Sequence, residues 1–85
     1  MKPTTREILL LGRTRELVGL ETTTLELTEA STVGMVRTEL GRRHPELAPL
    51  LPSCAIAVNH HYLDDRSLLG APDAEIALVP PVSGG

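Results

Sequence analysis

Only one stretch of the chain repeats apolar residues at a helical spacing over two turns, and short strand-like runs flank it on both sides. Val33, Val36 and Leu40 fall at i, i+3 and i+7 and so share one face, with Thr38 and Arg42 opposite. Ser31 and Thr32 precede them and offer a hydroxyl to the first orphan N–H groups. Pro45 ends or kinks the helix, because the residue before a proline avoids the helical region. A single helix with one apolar face needs a sheet to cover it. The expected architecture is therefore α+β, in two layers.

The flanking runs supply the sheet. Ile8-Leu9-Leu10-Leu11, closed by Gly12, is apolar without interruption and reads as a strand buried on both faces. Arg13 to Val18 predicts one or two helical turns, stopped by Gly19 as a left-handed cap. Thr22 to Leu27 is β-branched and alternating, a half-buried second strand. After the helix, Leu47, Leu50 and Leu51 predict an extra turn closing the end of the core. Cys54 to Val58 reads as a third strand ended by Asn59, a residue at home in turns. His60 to Leu63 then makes a turn and a short return strand, and Ser67 to Gly70 one tight helical turn. Pro72-Asp73 turns the chain into a last strand, Glu75 to Val79. The order predicts one main helix packed across a mixed sheet of four to five strands.

Eighty-five residues make one small domain. Tyr62 is its only aromatic residue, so the core must be Leu, Val, Ile and Ala, and base-stacking RNA modules are disfavoured. The net charge of -3, with seven arginines and one lysine scattered along the chain, argues against a nucleic-acid surface. Cys54 is alone, which excludes an internal disulfide and any multi-cysteine zinc site and fits a reducing, cytoplasmic setting. No apolar run approaches the length of a signal-peptide core or a membrane span, so no membrane association is expected.

If Ile8, Leu10, Ile76 and Leu78 face the helix, then Leu9, Leu11, Ala77 and Val79 lie on the sheet's outer face, and no second long helix covers them. Either a protein partner covers this patch, or the segments around Leu47–Leu51 or Leu68–Leu69 fold over it.

The strand leads into Pro80-Pro81-Val82-Ser83-Gly84-Gly85. The prolines end sheet pairing and hold the base extended. Six residues reach about 20 Å, enough to enter a neighbour's active site. Gly84 and Gly85 pass where a Cβ would clash, and a terminal glycine carboxylate is the least hindered that a chain can present. A frayed terminus is the plain alternative.

This tail resembles the terminal signature of the small subunits of molybdopterin synthase, ubiquitin-like sulfur carriers. The similarity continues in Arg15-Glu16-Leu17-Val18-Gly19, Thr32-Val33 and Ala57-Val58-Asn59, and spans about Ile8 to Gly85. Leu10, Leu11, Leu78 and Val79 stand where the family often has Phe, and Pro72-Asp73-Ala74-Glu75 replaces a common Asp-Gly-Asp-Glu turn. The resemblance implies a ubiquitin-like β-grasp domain over residues 1–79, followed by an extended tail over 80–85. It also implies that an adenylating enzyme related to ubiquitin-activating enzymes uses ATP to activate Gly85, and that a sulfur donor protein converts it to a thiocarboxylate. The tail then delivers sulfur inside the synthase large subunit. Gly85 would carry the sulfur and Gly84 give passage. Val79, Pro80, Pro81, Val82 and Ser83 would set reach and docking, with Leu11 and Tyr62 as further partner contacts. The chain itself would bind no cofactor or metal and would hold no active site of its own. Related recipients, in thiazole formation or tRNA thiolation, and covalent protein modification remain alternatives, as do a thiol enzyme built on Cys54 and a pure interaction module.

Other polar residues have plainer readings. Cys54 reads as a core residue, and His60-His61 as a solvated turn whose side chains diverge. His44 suits the last turn of the helix through its dipole. Asp64-Asp65-Arg66 reads as a locally paired polar turn, and Arg37, Arg42 and Arg43 as a solvated helix face.

Overall fold

A computed structural model describes residues 2–81. Strands β1 (Thr4–Leu10), β2 (Thr22–Leu27), β3 (Ala55–Val58), β4 (His61–Leu63) and β5 (Ile76–Val79) form one sheet in the order β2-β1-β5-β3-β4. Only β1 and β5 run parallel, Ile8 facing Ile76 and Leu10 facing Leu78; every other pair is antiparallel. The short helix α1 (Gly12–Val18) links β1 to β2, and α2 (Val33–Arg43) packs across one face of the sheet. This is the mixed, two-layer arrangement that the alternation and the single helical period predict.

The core is aliphatic. Ile8, Leu10, Leu25, Leu27, Ile56, Val58, Ile76 and Leu78 meet Val33, Val36 and Leu40 of α2. Each such side chain contributes about 1.5–3 kcal/mol by leaving water. Leu47 and Leu51, on two 3₁₀ turns (Pro45–Leu47 and Leu51–Ser53), close the end of that core as expected. Thr32 caps α2 by accepting from the Met35 N–H at 3.2 Å, and Gly19 ends α1 at φ 82 with its N–H on the Arg15 carbonyl.

Three local readings are corrected. Ser67 to Gly70 forms no helical turn: Leu68 makes an isolated antiparallel bridge to Thr32. The reason lies at the start of α2, whose orphan donors Val33 N–H and Gly34 N–H take the carbonyls of Ser67 and Asp65, both at 2.9 Å. Arg37 is not a solvated residue. Its guanidinium donates to the carbonyls of Leu51 and Cys54 and pairs with Asp65 at 2.9 Å. Asp65 therefore pairs across the fold rather than within its own turn, while Asp64 caps the turn by accepting from Arg66 N–H.

Candidate functional site

The outer face of the sheet is where strand pairing gathers the candidates. Leu9 pairs with Ala77, Ala77 with Ala57, and Ala57 with Tyr62, which sets these four side chains in one row across four strands. Leu11 and Val79 stand one pleat nearer the tail, and the set lines a shallow groove of about 250 Å³ bordered by His60 and Glu75. The small Ala57 and Ala77 are buried in its floor, Leu9, Leu11 and Val79 are half-buried, and Tyr62 stands 71% exposed beside them.

The segments that might have covered this face lie elsewhere. Leu47, Leu51 and Leu69 are in the core under α2, and Leu68 points to solvent. The outer apolar face is thus open among the described residues.

Two local devices hold the groove's walls. At the entry to α1 the buried Thr14 hydroxyl donates to the Leu11 carbonyl at 2.6 Å and accepts from the Leu11 N–H at 3.0 Å, fixing the backbone from which Leu11 projects. At the other end Asn59 and His60 adopt φ 50 and φ 68, a two-residue turn closed by the pairing of Val58 with His61. That turn sets Tyr62 in register with Ala57. Sequence reasoning named Leu11, Tyr62 and Val79 but missed Thr14 and Ala57. A lone threonine inside a short helix carries no periodic signal, and alanine reads as filler until strand order places it.

β5 runs directly from the groove into the tail. Pro80 rests where Gly12 has no side chain, its Cγ 3.1 Å from the position a Cβ would take, and Gly12 itself has φ +52. Gly12, Arg13, Glu16, Leu50, Pro80 and Pro81 line a second groove of about 590 Å³ at the base of the tail. Val82, Ser83, Gly84 and Gly85 lie outside the described residues.

Cys54 is 5% exposed, and burial pushes its thiol above the ordinary value of 9.0 against a weaker opposing pull from Arg37. His60 and His61 are exposed, and His60 lies 3.6 Å from Glu75. His44 caps the end of α2, with Nε2 2.7 Å from the Thr23 hydroxyl. Among the described residues no group of His, Cys, Asp and Glu is placed to hold a metal, and no helix is long and apolar enough to cross a membrane. The arrangement is suited to docking against the outer face of the sheet.

One main helix packed across a mixed five-stranded sheet in the order β2-β1-β5-β3-β4 is a β-grasp, the fold of the ubiquitin-like class. Within it, the ThiS family model matches residues 8–85, and the chain belongs to the ThiS family. It is 34% identical over 79 residues to the molybdopterin synthase sulfur carrier subunit of Arabidopsis thaliana, covering 93% of this chain and 81% of that protein. Against the subunit of the same description from Homo sapiens it is 31% identical over 81 residues, covering 93% and 92%. Among solved structures, SAMP1 from Haloferax volcanii superposes with a TM-score of 0.79 at 26% identity, over 96% of this chain and all of that one. A chain from the complex of subunits 1 and 2 of the molybdopterin-converting factor of Helicobacter pylori gives 0.65 at 27%, over 96% and 100%.

Proposed function

We propose that the chain is the sulfur carrier subunit of a molybdopterin synthase. One observation carries this reading beyond family membership: the strand that floors the apolar groove is the strand that becomes the tail. A partner gripping Leu11, Tyr62 and Val79 therefore holds the base of the segment it must draw in. The likeness to a chain solved in complex with its second subunit supports a synthase large subunit as that partner.

The chemistry follows from the terminus. A carboxylate resists attack because it is anionic and delocalised. Adenylation of Gly85 by a partner bonds a carboxylate oxygen to the α-phosphorus of ATP, expels pyrophosphate and so makes that oxygen part of a good leaving group, AMP. The terminal sulfur of a donor protein's persulfide then attacks the acyl carbon and displaces AMP. A second thiol attacks the donor sulfur of the resulting acyl disulfide, takes it into a disulfide and releases the thiocarboxylate, a better nucleophile than the carboxylate at neutral pH. Pro80-Pro81 keeps the base of the tail extended and reduces the entropy lost on docking. Val82 and Ser83 occupy the channel, Gly84 allows passage, and Gly85 delivers sulfur to the pterin. The body supplies docking and aim, and the large subunit supplies the catalytic groups.

The test is a chain extended by one residue beyond Gly85, alongside Gly85→Ala. Both are expected to fold with unchanged circular dichroism and melting temperature. The extended chain is expected to accept no sulfur and support no pterin conversion. Normal loading of the extended chain contradicts the proposal.

Covalent attachment to amines is a second reading, favoured by the likeness to the small archaeal modifier protein SAMP1. Isopeptide-linked products, in place of a terminal thioacid, would establish it.

A further inference from the structure

Arg6 is a buried cation whose charge no carboxylate of the described residues meets. It sits near the start of β1, only 7% exposed. Its Nη2 donates to the carbonyls of Ala74 and Ala71, at 2.9 and 3.5 Å, and so steadies the loop ahead of β5. The remaining N–H donors of the guanidinium, on Nε and Nη1, have no acceptor among the described residues. Nor does any ion pair of those residues include Arg6. Carbonyl dipoles offset part of the cost of burying the charge, and an anion in contact offsets more.

No side-chain nitrogen of the described residues is both sealed from solvent and unbonded, so these donors open onto the cavities that Arg6 lines. Two cavities have Arg6 and Pro72 in their walls. The larger, of about 320 Å³, also carries Glu7, Asp73 and Glu75, and its charge repels anions. The smaller, of about 170 Å³, adds Lys2, Thr4, Thr28 and Glu29. Two cations there face one carboxylate, and neither Lys2 nor Glu29 belongs to an ion pair among the described residues. Both hydroxyls are loosely held. Thr4 Oγ1 lies 3.4 Å from the Leu27 carbonyl, and Thr28 Oγ1 lies 3.4 Å from Ser31 Oγ, long for O–H···O bonds.

We propose that the smaller cavity binds a small tetrahedral oxyanion of the phosphate and sulfate class. The Arg6 guanidinium and the Lys2 ammonium hold its charge, and the hydroxyls of Thr4 and Thr28 donate to it. At about 30 Å³ per water, the cavity admits such an ion and a few waters, and is too small for a nucleotide. The ion joins the start of β1 to the turn between β2 and α2 and, through Arg6, to the loop ahead of β5. Arg6 and Leu10 lie about 13 Å apart along β1, and the tail base lies beyond Leu10, so the site is separate from the carrier reading.

The test is a titration of the folded chain with inorganic phosphate at neutral pH and constant ionic strength, followed through backbone amide NMR shifts. Saturable shifts are expected at Thr4 to Arg6, at Thr28 and Glu29, and at Ala71 to Ala74. Arg6 stays in place, because it also holds the loop. Lys2→Gln and Glu29→Gln change exposed positions and are expected to leave the fold intact. Lys2→Gln is expected to raise the half-saturating concentration and Glu29→Gln to lower it, each about threefold. Half-saturation unmoved in both variants overturns the proposal, and so do shifts that never saturate or that are equally large at Arg42 and Arg43. Phosphoserine titrated in the same way is expected to bind more weakly than phosphate; tighter binding overturns the assignment to a free ion.

Discussion

Asn59 and Glu75 are bonded twice: the Asn59 N–H donates to the Glu75 carbonyl at 2.8 Å, and the Glu75 N–H donates to Asn59 Oδ1 at 2.9 Å. The pair ties the β3–β4 turn to the chain entering β5, and β5 carries the tail. Asn59 also holds φ 50, a conformation that Asn tolerates better than most residues. Asn59→Ala removes the side-chain bond and introduces left-handed strain, at an expected cost of about 1–2 kcal/mol. Asn59→Gly keeps the backbone unstrained and is expected to lose less. Urea unfolding of the two variants decides; equal losses would assign the whole effect to the hydrogen bond.

Arg37 and Asp65 should prove unequal partners. The Arg37 side chain is 21% exposed and that of Asp65 54%, and only Arg37 also bonds two main-chain carbonyls. Asp65→Ala is expected to cost under about 1 kcal/mol. Arg37→Ala leaves the carbonyls of Leu51 and Cys54 without this donor and is expected to cost about 2–3 kcal/mol. Denaturant unfolding of both single variants and the double variant gives the comparison. Equal single losses would show that the ion pair, and not the carbonyl clamp, is what matters.

Burial raises the Cys54 thiol above 9.0, so the folded state favours the protonated form more than the unfolded chain does. The resulting stability is fully present below pH 9 and is lost as pH rises beyond it. Cys54→Ala is expected to flatten this alkaline decline in melting temperature while leaving sulfur loading unchanged. Native wild-type protein is also expected to react with iodoacetamide at least about a hundredfold more slowly than the urea-unfolded chain. Lost loading in Cys54→Ala would return the thiol to the chemistry.

Tyr62 separates docking from folding. With most of its surface in solvent, Tyr62→Ala should leave the melting temperature nearly unmoved. Calorimetric titration against a synthase large subunit is expected to show affinity weakened at least about tenfold, some 1.4 kcal/mol. Unchanged affinity would remove the outer face from the interface.

Much of this was legible in the residues because period and punctuation agreed. Thr22 to Leu27 alternates and is β2 end to end; Val33, Val36 and Leu40 repeat at helical spacing and are buried; Gly19 and Pro45 mark the helix ends. What escaped depended on distant backbone. Arg6 is buried with its guanidinium 2.9 Å from the Ala74 carbonyl, and Arg37 clamps two further carbonyls. Arginine is a surface residue by composition, and a carbonyl acceptor leaves no mark in a sequence. Ser67 to Gly70 misled for a related reason, since its helical propensity yielded to the unpaired donors at the start of α2. For the site, the tail and the outer-face leucines stood out as runs. Ala57 became meaningful only when strand register placed it beside Tyr62, and Thr14 only when its hydroxyl was found bonded to the Leu11 main chain.

The role assigned to Gly85 is tested most directly by intact-mass spectrometry of the purified chain after incubation with its adenylating enzyme, ATP and a sulfur donor. The expected outcome is a gain equal to the difference between one sulfur and one oxygen, located by fragmentation at Gly85. A chain that keeps its original mass while the enzyme turns over ATP, or one that gains sulfur at Cys54 instead, would contradict it.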